Sequence, residues 1–148
     1  QIISVTSSKS QEHTILRDSI LPGLLENLSK NIHETYPQKF FESGIVFSTG
    51  SPIKETSSLA CVTASEETHF SEMKAVLQSL FRIGFNMKCE TKTLSNHALF
   101  SQGRVAEIIV NRKIVGYIGE LDSKVLENFR IRTRVVGFEI KLSGLIFD

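Results

Sequence analysis

The sequence predicts an α+β fold in which helices pack against a mostly antiparallel β-sheet. Short runs rich in β-branched and aromatic residues recur along the chain, and segments with apolar residues at helical spacing lie between them. The chain has 148 residues, of which 41% are hydrophobic. It is therefore long enough to enclose one core, and we expect a single domain over residues 1–148.

The first helix is predicted near a Pro-Gly pair. Pro22 suits the first turn of a helix, where its missing N–H costs no hydrogen bond. The turn before Pro37 is expected to stop the helix, which gives a predicted span of residues 22–34. One apolar stripe follows at helical spacing and consists of Leu24, Leu25, Leu28 and Ile32.

Two further helices are predicted. The second starts near Thr68 or Ser71, either of which could cap it, and stops at Gly84. A short third helix is expected over residues 123–129. The apolar face of the second helix is predicted to hold Met73, Val76, Leu77, Leu80 and Phe81.

Seven segments have strand character. A loop with Gly50 and Pro52 is expected to join two of them as an antiparallel pair, and Asn111-Arg112-Lys113 predicts a hairpin between two others. The predicted strands are residues 2–6, 39–47, 59–63, 87–94, 105–110, 114–118 and 135–142.

Composition excludes several classes of protein. With 17 basic and 16 acidic side chains, the net charge of +1 allows RNA contact only as a secondary role. Cys61 and Cys89 show no CxxC spacing, which disfavours a disulfide scaffold or zinc knuckle and suits a cytoplasmic location. The apolar runs are too short to span a membrane, so no membrane partner is expected. The start at Gln1, without an initiator methionine, suggests a fragment of a longer chain.

Two constellations could in principle carry chemistry. An acidic cluster with one histidine could hold a metal, but its place at a helix start favours interaction with the helix dipole. Cys61 could pair with His69 or His97 as nucleophile and base, but it lies in an apolar strand typical of an inert thiol. The acidic cluster consists of Glu66, Glu67, His69 and Glu72.

Residues 116–120, GYIGE, resemble part of a glycine-rich phosphate loop. They lack the third glycine and a following capped helix of the right kind, so a phosphate site is rejected. The glycines are expected to mark a bulge or a close backbone approach.

Every second residue near the start of the last predicted strand is an arginine: Arg130, Arg132 and Arg134. If this segment is extended, the three guanidinium groups share one face and could meet RNA phosphates or an acidic partner. A solvated strand edge protected by charge is the alternative, and the sequence favours it.

Several motifs in order along the chain resemble those of one known family. They are residues 16–28 (LRDSILPGLLENL), 39–46 (KFFESGIV), the helix at 70–80, 103–108 (GRVAEI), 118–121 (IGEL), 125–129 (VLENF) and 136–140 (VGFEI). Together they resemble the carboxy-terminal, catalytic-like domain of the phenylalanyl-tRNA synthetase β subunit in its archaeal and eukaryotic form. The chain departs from that pattern near Ser7-Ser8 and at Asp122-Ser123, where the family usually has Asn-Pro and His-Pro.

The resemblance implies a class II synthetase-like fold without its own catalytic site. An active class II site needs two arginines to hold ATP phosphates. The motif 2-like stretch at residues 40–43 and the final strand at residues 137–144 contain neither arginine. Glu42 keeps the position of a motif residue without a phosphate-binding partner. No catalytic, cofactor-binding or metal residue is therefore expected in this domain.

The resemblance also implies partners. Amino-acid activation is expected on a separate α subunit, which would hold ATP and Mg, in an (αβ)₂ assembly that charges tRNA-Phe. The alternative is a free-standing synthetase-like module that binds a small ligand or acts as a regulator. The predicted docking surface lies on the first helix and includes Leu21, Pro22, Leu24, Leu25 and Leu28.

Overall fold

The computed structural model describes residues 3–4, 15–143 and 145. The rest of the predicted strand over residues 2–6, and the departure at Ser7-Ser8, lie outside these residues. Within them, β1 (Ile3–Ser4) pairs antiparallel with β2 (Ile15–Leu16), a strand that the sequence did not predict.

Six strands form one sheet in the order β3-β4-β8-β7-β6-β5, and every neighbouring pair is antiparallel. This arrangement confirms the predicted α+β class with an antiparallel sheet. The strands are β3 (Gln38–Ser48), β4 (Lys54–Ala64), β5 (Glu90–Leu94), β6 (Phe100–Val110), β7 (Lys113–Leu121) and β8 (Val135–Lys141).

Both predicted antiparallel connections are present. Strands β3 and β4 pair along their whole length, from Gln38 opposite Ala64 to Ser48 opposite Lys54. The β6–β7 turn places Asn111 and Arg112 at φ values of 50° and 64°. Two consecutive residues with positive φ match the twist of the flanking strands, as in the common two-residue hairpin.

Helices cover the two faces of the sheet. Helix α1 (Leu21–Lys30) and the short α3 (Ser123–Asn128) pack on one face, where they share a core cluster with β4 and the start of β8. Helix α2 (Phe70–Ser79) continues into a π-helical turn (Leu80–Gly84) and packs on the other face with β6, β7 and β8. The described part of the chain contains no helix with the length and apolar character that a membrane crossing requires.

Helix α1 is shorter than predicted. It ends at Lys30, because the Asn31 side-chain amide donates to the Asn27 carbonyl at 2.7 Å and closes the last turn. The Gln38 side-chain amide then donates to the Asn31 carbonyl at 2.8 Å, a group that a continued helix would use. Ile32 therefore leaves the apolar stripe and is exposed.

Helix α2 starts without the predicted side-chain cap. Its N-cap residue is His69, and neither Thr68 nor Ser71 caps the helix. Met73, Leu77 and Phe81 are buried as predicted, but Val76 is exposed. The helix packs mainly over β7 and β8, and Val76 borders a cavity shared with Cys61 and Thr63 of β4. The π-helical turn ends at Gly84, the predicted stop.

The glycines of β7 mark close backbone contacts, as the sequence predicted. A Cβ on Gly116 would meet the Glu139 carbonyl oxygen and lie 2.9 Å from the Ile140 Cα. A Cβ on Gly119 would lie 2.6 Å from the Arg104 carbonyl oxygen. Adjacent strands therefore pack against β7 too tightly for any larger residue at these positions.

Candidate functional site

A cavity of about 370 Å³ opens on the α1 side of the sheet. The start of α1, the loop before β6 and strands β4, β7 and β8 enclose it. This volume is within the range of small-molecule sites, which are mostly apolar with a few placed polar groups. Its apolar lining includes Leu21, Val46, Leu99, Phe100, Val115 and Ile140.

Glu139 of β8 provides the best-connected polar group of this cavity. One carboxylate oxygen accepts from the Ile20 N–H at 2.9 Å and from the Ser58 hydroxyl at 3.3 Å. The other accepts from the Ser19 hydroxyl at 2.6 Å and from the Leu21 N–H at 3.2 Å. The Ser58 hydroxyl has one proton and also lies 2.9 Å from the Ile140 carbonyl, so Glu139 shares this donor and has three donors of its own.

This carboxylate, which projects from strand β8, caps the start of helix α1. The local N-cap residue is Ile20, which has no side-chain acceptor, and Pro22 has no N–H to satisfy. Glu139 therefore binds the N–H groups of Ile20 and Leu21 and places its negative charge at the positive end of the helix dipole. Periodicity does not predict this role, although a lone acidic residue within an apolar strand is a signal for a buried partner.

His97 lies at the same cavity in a neutral form. Its Nδ1 accepts a hydrogen bond from the Leu99 N–H at 3.2 Å, which places the ring proton on Nε2. The ring centroid is 4.5 Å from that of Tyr117 and 5.0 Å from that of Phe100. Burial lowers the pKa of His97.

Glu42 does have a partner, which the sequence did not reveal. The Arg17 guanidinium forms an ion pair with the Glu42 carboxylate at 2.5 Å and donates from Nε to the Ile45 carbonyl at 3.0 Å. The Arg17 carbonyl in turn accepts from the Phe47 N–H at 2.8 Å. These contacts join two of the motifs, residues 16–28 and 39–46, and give Glu42 a structural role.

The predicted docking residues on α1 are mostly core residues. Leu21, Leu24, Leu25 and Leu28 are at most 2% exposed and pack against the sheet of their own chain. The sequence predicts a docking surface here because a strong apolar stripe has the same pattern whether it covers a core or a partner. The structure corrects this assignment for the four leucines. Only Pro22 is partly exposed.

The three arginines do not form a charged strand edge. Strand β8 begins at Val135 and is paired on both sides, and Arg130 has a positive φ of 58°. Arg130 and Arg132 are exposed, whereas Arg134 lies 3.5 Å from the Glu120 carboxylate and 3.4 Å from the Thr68 carbonyl. The first two border a depression that also contains Glu66, Glu67 and Glu127, so positive and negative groups are mixed there.

The structure disfavours the other candidate catalytic and metal sites. Cys61 faces the α2 side of the sheet and His97 packs on the α1 side, so they do not meet. Cys61 and His69 do border a common cavity of about 100 Å³. Burial raises the pKa of Cys61, an effect that Lys39 partly offsets, which disfavours a thiolate. Among residues 3–4, 15–143 and 145, no cluster of three metal-binding side chains occurs.

A second feature missed from the sequence is an exposed apolar surface, which we name the β3–α2 surface. It consists of Phe41 and Ile45 on β3 and Val76 and Ile83 on and after α2. Phe41 pairs in register with Cys61, and Cys61 and Val76 line the same small cavity. Phe41 and Ile83 are each 78% exposed.

Two solved structures with this arrangement of strands and helices are those of an aminoacyl-tRNA synthetase. Two structures of the pyrrolysyl-tRNA synthetase of Desulfitobacterium hafniense superpose with a TM-score of 0.72 and 17% sequence identity. The match covers 99% of this chain and 52% of theirs. The chain thus has the fold of a class II aminoacyl-tRNA synthetase, as its motifs implied.

Sequence comparison narrows this class to one family. A profile of the phenylalanyl-tRNA synthetase β chain CLM domain matches residues 1–142. The phenylalanine–tRNA ligase β subunits of Pyrococcus abyssi and Methanocaldococcus jannaschii are each 39% identical, over 98% and 95% of this chain. That of Archaeoglobus fulgidus is 40% identical over 99% of it. The chain belongs to the phenylalanyl-tRNA synthetase β chain CLM domain family, and it spans 26% of the length of these relatives.

Proposed function

We propose that this chain is a non-catalytic domain of a phenylalanine–tRNA ligase β subunit and that it packs against the catalytic α subunit. In this role it supports the charging of tRNA-Phe within a cytoplasmic (αβ)₂ assembly, and tRNA contact by Arg130 and Arg132 is secondary. The family match supports the β-subunit role. The observation that carries the non-catalytic role is the Glu139 carboxylate at the start of α1.

The residues of this domain do not fit ATP. The backbone N–H groups at the start of α1, which would suit a phosphate, already bind Glu139. A phosphate next to this carboxylate would meet like charge, and residues 40–43 and 137–144 contain neither arginine of an active class II site. We therefore place ATP and Mg on the α subunit and assign this domain no chemical step.

We assign the α-subunit contact to the β3–α2 surface. Exposed apolar side chains that adjoin on one face mark interaction sites more reliably than isolated ones. The leucines of α1 are occupied by their own core, whereas Phe41, Ile45 and Val76 have open space before them. Burying Phe41 alone would contribute about 2 kcal/mol if the contact removes its whole side chain from water.

A charge placed on this surface tests the contact. In the complete β chain, Phe41→Glu should weaken association with the α subunit at least tenfold, because a buried carboxylate would lack a partner. Ile114→Glu is the matched control, since Ile114 is 53% exposed and lies in the β6–β7 hairpin, three strands away from β3 in the sheet order. Analytical ultracentrifugation or size-exclusion chromatography measures the complex. Equal association of the two variants with the α subunit would contradict this assignment.

The alternative function is a free-standing module that binds a small ligand, and the 370 Å³ cavity is the observation that favours it. The two functions differ in their dependence on a second chain. A small-ligand module should remain monodisperse and functional without an α subunit, and Phe41→Glu should not affect it. The docking function requires a stable complex whose loss on Phe41→Glu parallels the loss of tRNA charging.

A further inference from the structure

A cavity of about 600 Å³ lies beside the start of α2. Thr93 of β5 lines this cavity and pairs in register with Ala106, which packs in the core cluster on the α2 side of the sheet. Residues directly opposite each other on paired strands share a face, so Thr93 also lies on the α2 side. Arg104 is two positions before Ala106 on β6 and therefore lies on the same face. Polar side chains thus line this part of the sheet.

Positive charge is in excess at this cavity, which we name the basic cavity. With histidine taken as neutral, its charged lining residues are three cations and one carboxylate: Lys74 of α2, Arg104 of β6, Arg134 before β8 and Glu120 of β7. One Glu120 oxygen accepts from Arg104 Nη1 at 2.7 Å, and the other lies 3.5 Å from Arg134 Nε. Glu120 therefore holds both guanidinium groups at the cavity and neutralises only one of the three positive charges.

The cations of the basic cavity keep charged donors that the chain itself does not use. Arg104 donates one N–H group to Glu120, and Arg134 donates one to the Thr68 carbonyl at 3.4 Å besides its contact with Glu120. Most N–H donors of both guanidinium groups therefore remain available. Lys74 is half-buried and has no ion pair within residues 15–143. These donors can bind several oxygens of one anion.

A buried hydroxyl also lacks a partner at this cavity. Thr68 lines the cavity and is 4% exposed, yet its hydroxyl makes no hydrogen bond within the described part of the chain. Such a group costs free energy that an oxygen of a bound anion recovers. Helix α2 begins next to Thr68 without a side-chain cap, so the positive end of its dipole adds to the potential of the three cations.

We propose that the basic cavity binds the phosphate group of a phosphate monoester. Lys74 and Arg104 donate to its oxygens, and guanidinium donors match phosphate geometry. At about neutral pH a phosphate monoester carries close to two negative charges, which balances the excess of positive charge at the cavity. The proposal concerns binding alone and adds no chemical step. It goes beyond the proposed docking function and does not depend on it, because the three cations lie outside the β3–α2 surface.

Titration with methyl phosphate at pH 7.5 tests the proposal, followed by ¹H–¹⁵N NMR at constant ionic strength set with chloride. We expect saturable shifts of backbone amides at the cavity, such as those of Thr93 and Gly103. Arg104→Gln and Lys74→Gln should each raise the apparent Kd about fivefold or more, because each removes a charged donor. Lys113→Gln is the matched control: it removes one positive charge from the exposed β6–β7 hairpin and should leave the Kd unchanged. The spectra also report whether each variant is folded.

Dimethyl phosphate is the second probe, because it has the same phosphorus centre but only one negative charge and two free oxygens. It should bind several-fold more weakly than methyl phosphate. Equal or tighter binding of dimethyl phosphate would overturn the monoester assignment and indicate the phosphodiester of a nucleic-acid backbone instead. Shifts that do not saturate, or a Kd that rises as much with Lys113→Gln as with Lys74→Gln, would overturn the site itself.

Discussion

At the scale of single residues, Glu139 joins parts of the chain that are far apart in sequence. Its hydrogen bonds to Ser19 and Ile20 span 120 and 119 residues. Periodicity reports only neighbours within one element, so it can place Leu24 in a core but cannot reveal which carboxylate caps the helix. Arg17 and Glu42, 25 residues apart, illustrate the same restriction.

His97 should make stability depend on pH. Burial lowers its pKa below the unfolded value of about 6.5, so the unfolded state binds more protons as the solution becomes acidic. The stabilisation is fully present above about pH 6.5 and is lost as pH falls through the folded pKa. Urea unfolding at pH 7.5 and pH 5.5 should show a smaller loss for His97→Gln than for wild type, since glutamine does not titrate. A greater acid loss for His97→Gln would contradict this assignment.

The close approach at Gly116 gives a second residue-scale prediction. Gly116→Ala should destabilise the fold by more than about 2 kcal/mol, because its methyl group would push β7 away from the β8 backbone. Gly23→Ala is the matched control: nothing lies within 4 Å of its added Cβ, and it should stabilise helix α1 by about 0.4–1 kcal/mol. Chemical denaturation of both variants measures the difference. Equal effects would show that the β7–β8 contact is looser than described.

At the scale of elements, the sequence predicted whether a segment is a helix or a strand better than it predicted where that segment begins and ends. Helix α1, helix α2 and the β6–β7 hairpin were all predicted from periodicity and turn residues. The ends were missed where side chains intervene, as when Gln38 binds the Asn31 carbonyl and α1 stops at Lys30. Pairing was missed where strands are very short, as for β2, because two residues show no alternation.

The revised role of the α1 leucines gives an element-scale prediction. Leu25→Ala should destabilise the chain by about 2–5 kcal/mol, because Leu25 is fully buried between α1 and the sheet. Asn27→Ala changes an exposed position in the same helix and should remain within about 0.5 kcal/mol of wild type. Urea denaturation of the chain without any partner measures both. A Leu25→Ala variant that keeps wild-type stability but loses α-subunit binding would restore the original docking assignment.

At the scale of the whole molecule, the ordered motifs predicted the fold and the family, and both are confirmed. The candidate surface was less predictable from the sequence. The exposed Phe41 on a strand and the exposed Val76 on a helix are each related to Cys61 only when β3, β4 and α2 are assembled. The sequence therefore predicted the apolar residues that build the core. Which apolar residues stay exposed outside the core could be seen only in the structure.

The central claim is that this domain contributes structure and not chemistry to a ligase. Phenylalanine-dependent ATP–pyrophosphate exchange tests it most directly. The exchange is measured for three samples: this chain alone, this chain mixed with its α subunit, and the complete β chain mixed with the same α subunit. We predict no exchange above background for this chain alone and robust exchange in the complete complex, because Glu139 occupies the N–H groups at the start of α1 that would suit a phosphate. Exchange by this chain alone, at rates comparable to the complex, would contradict the account.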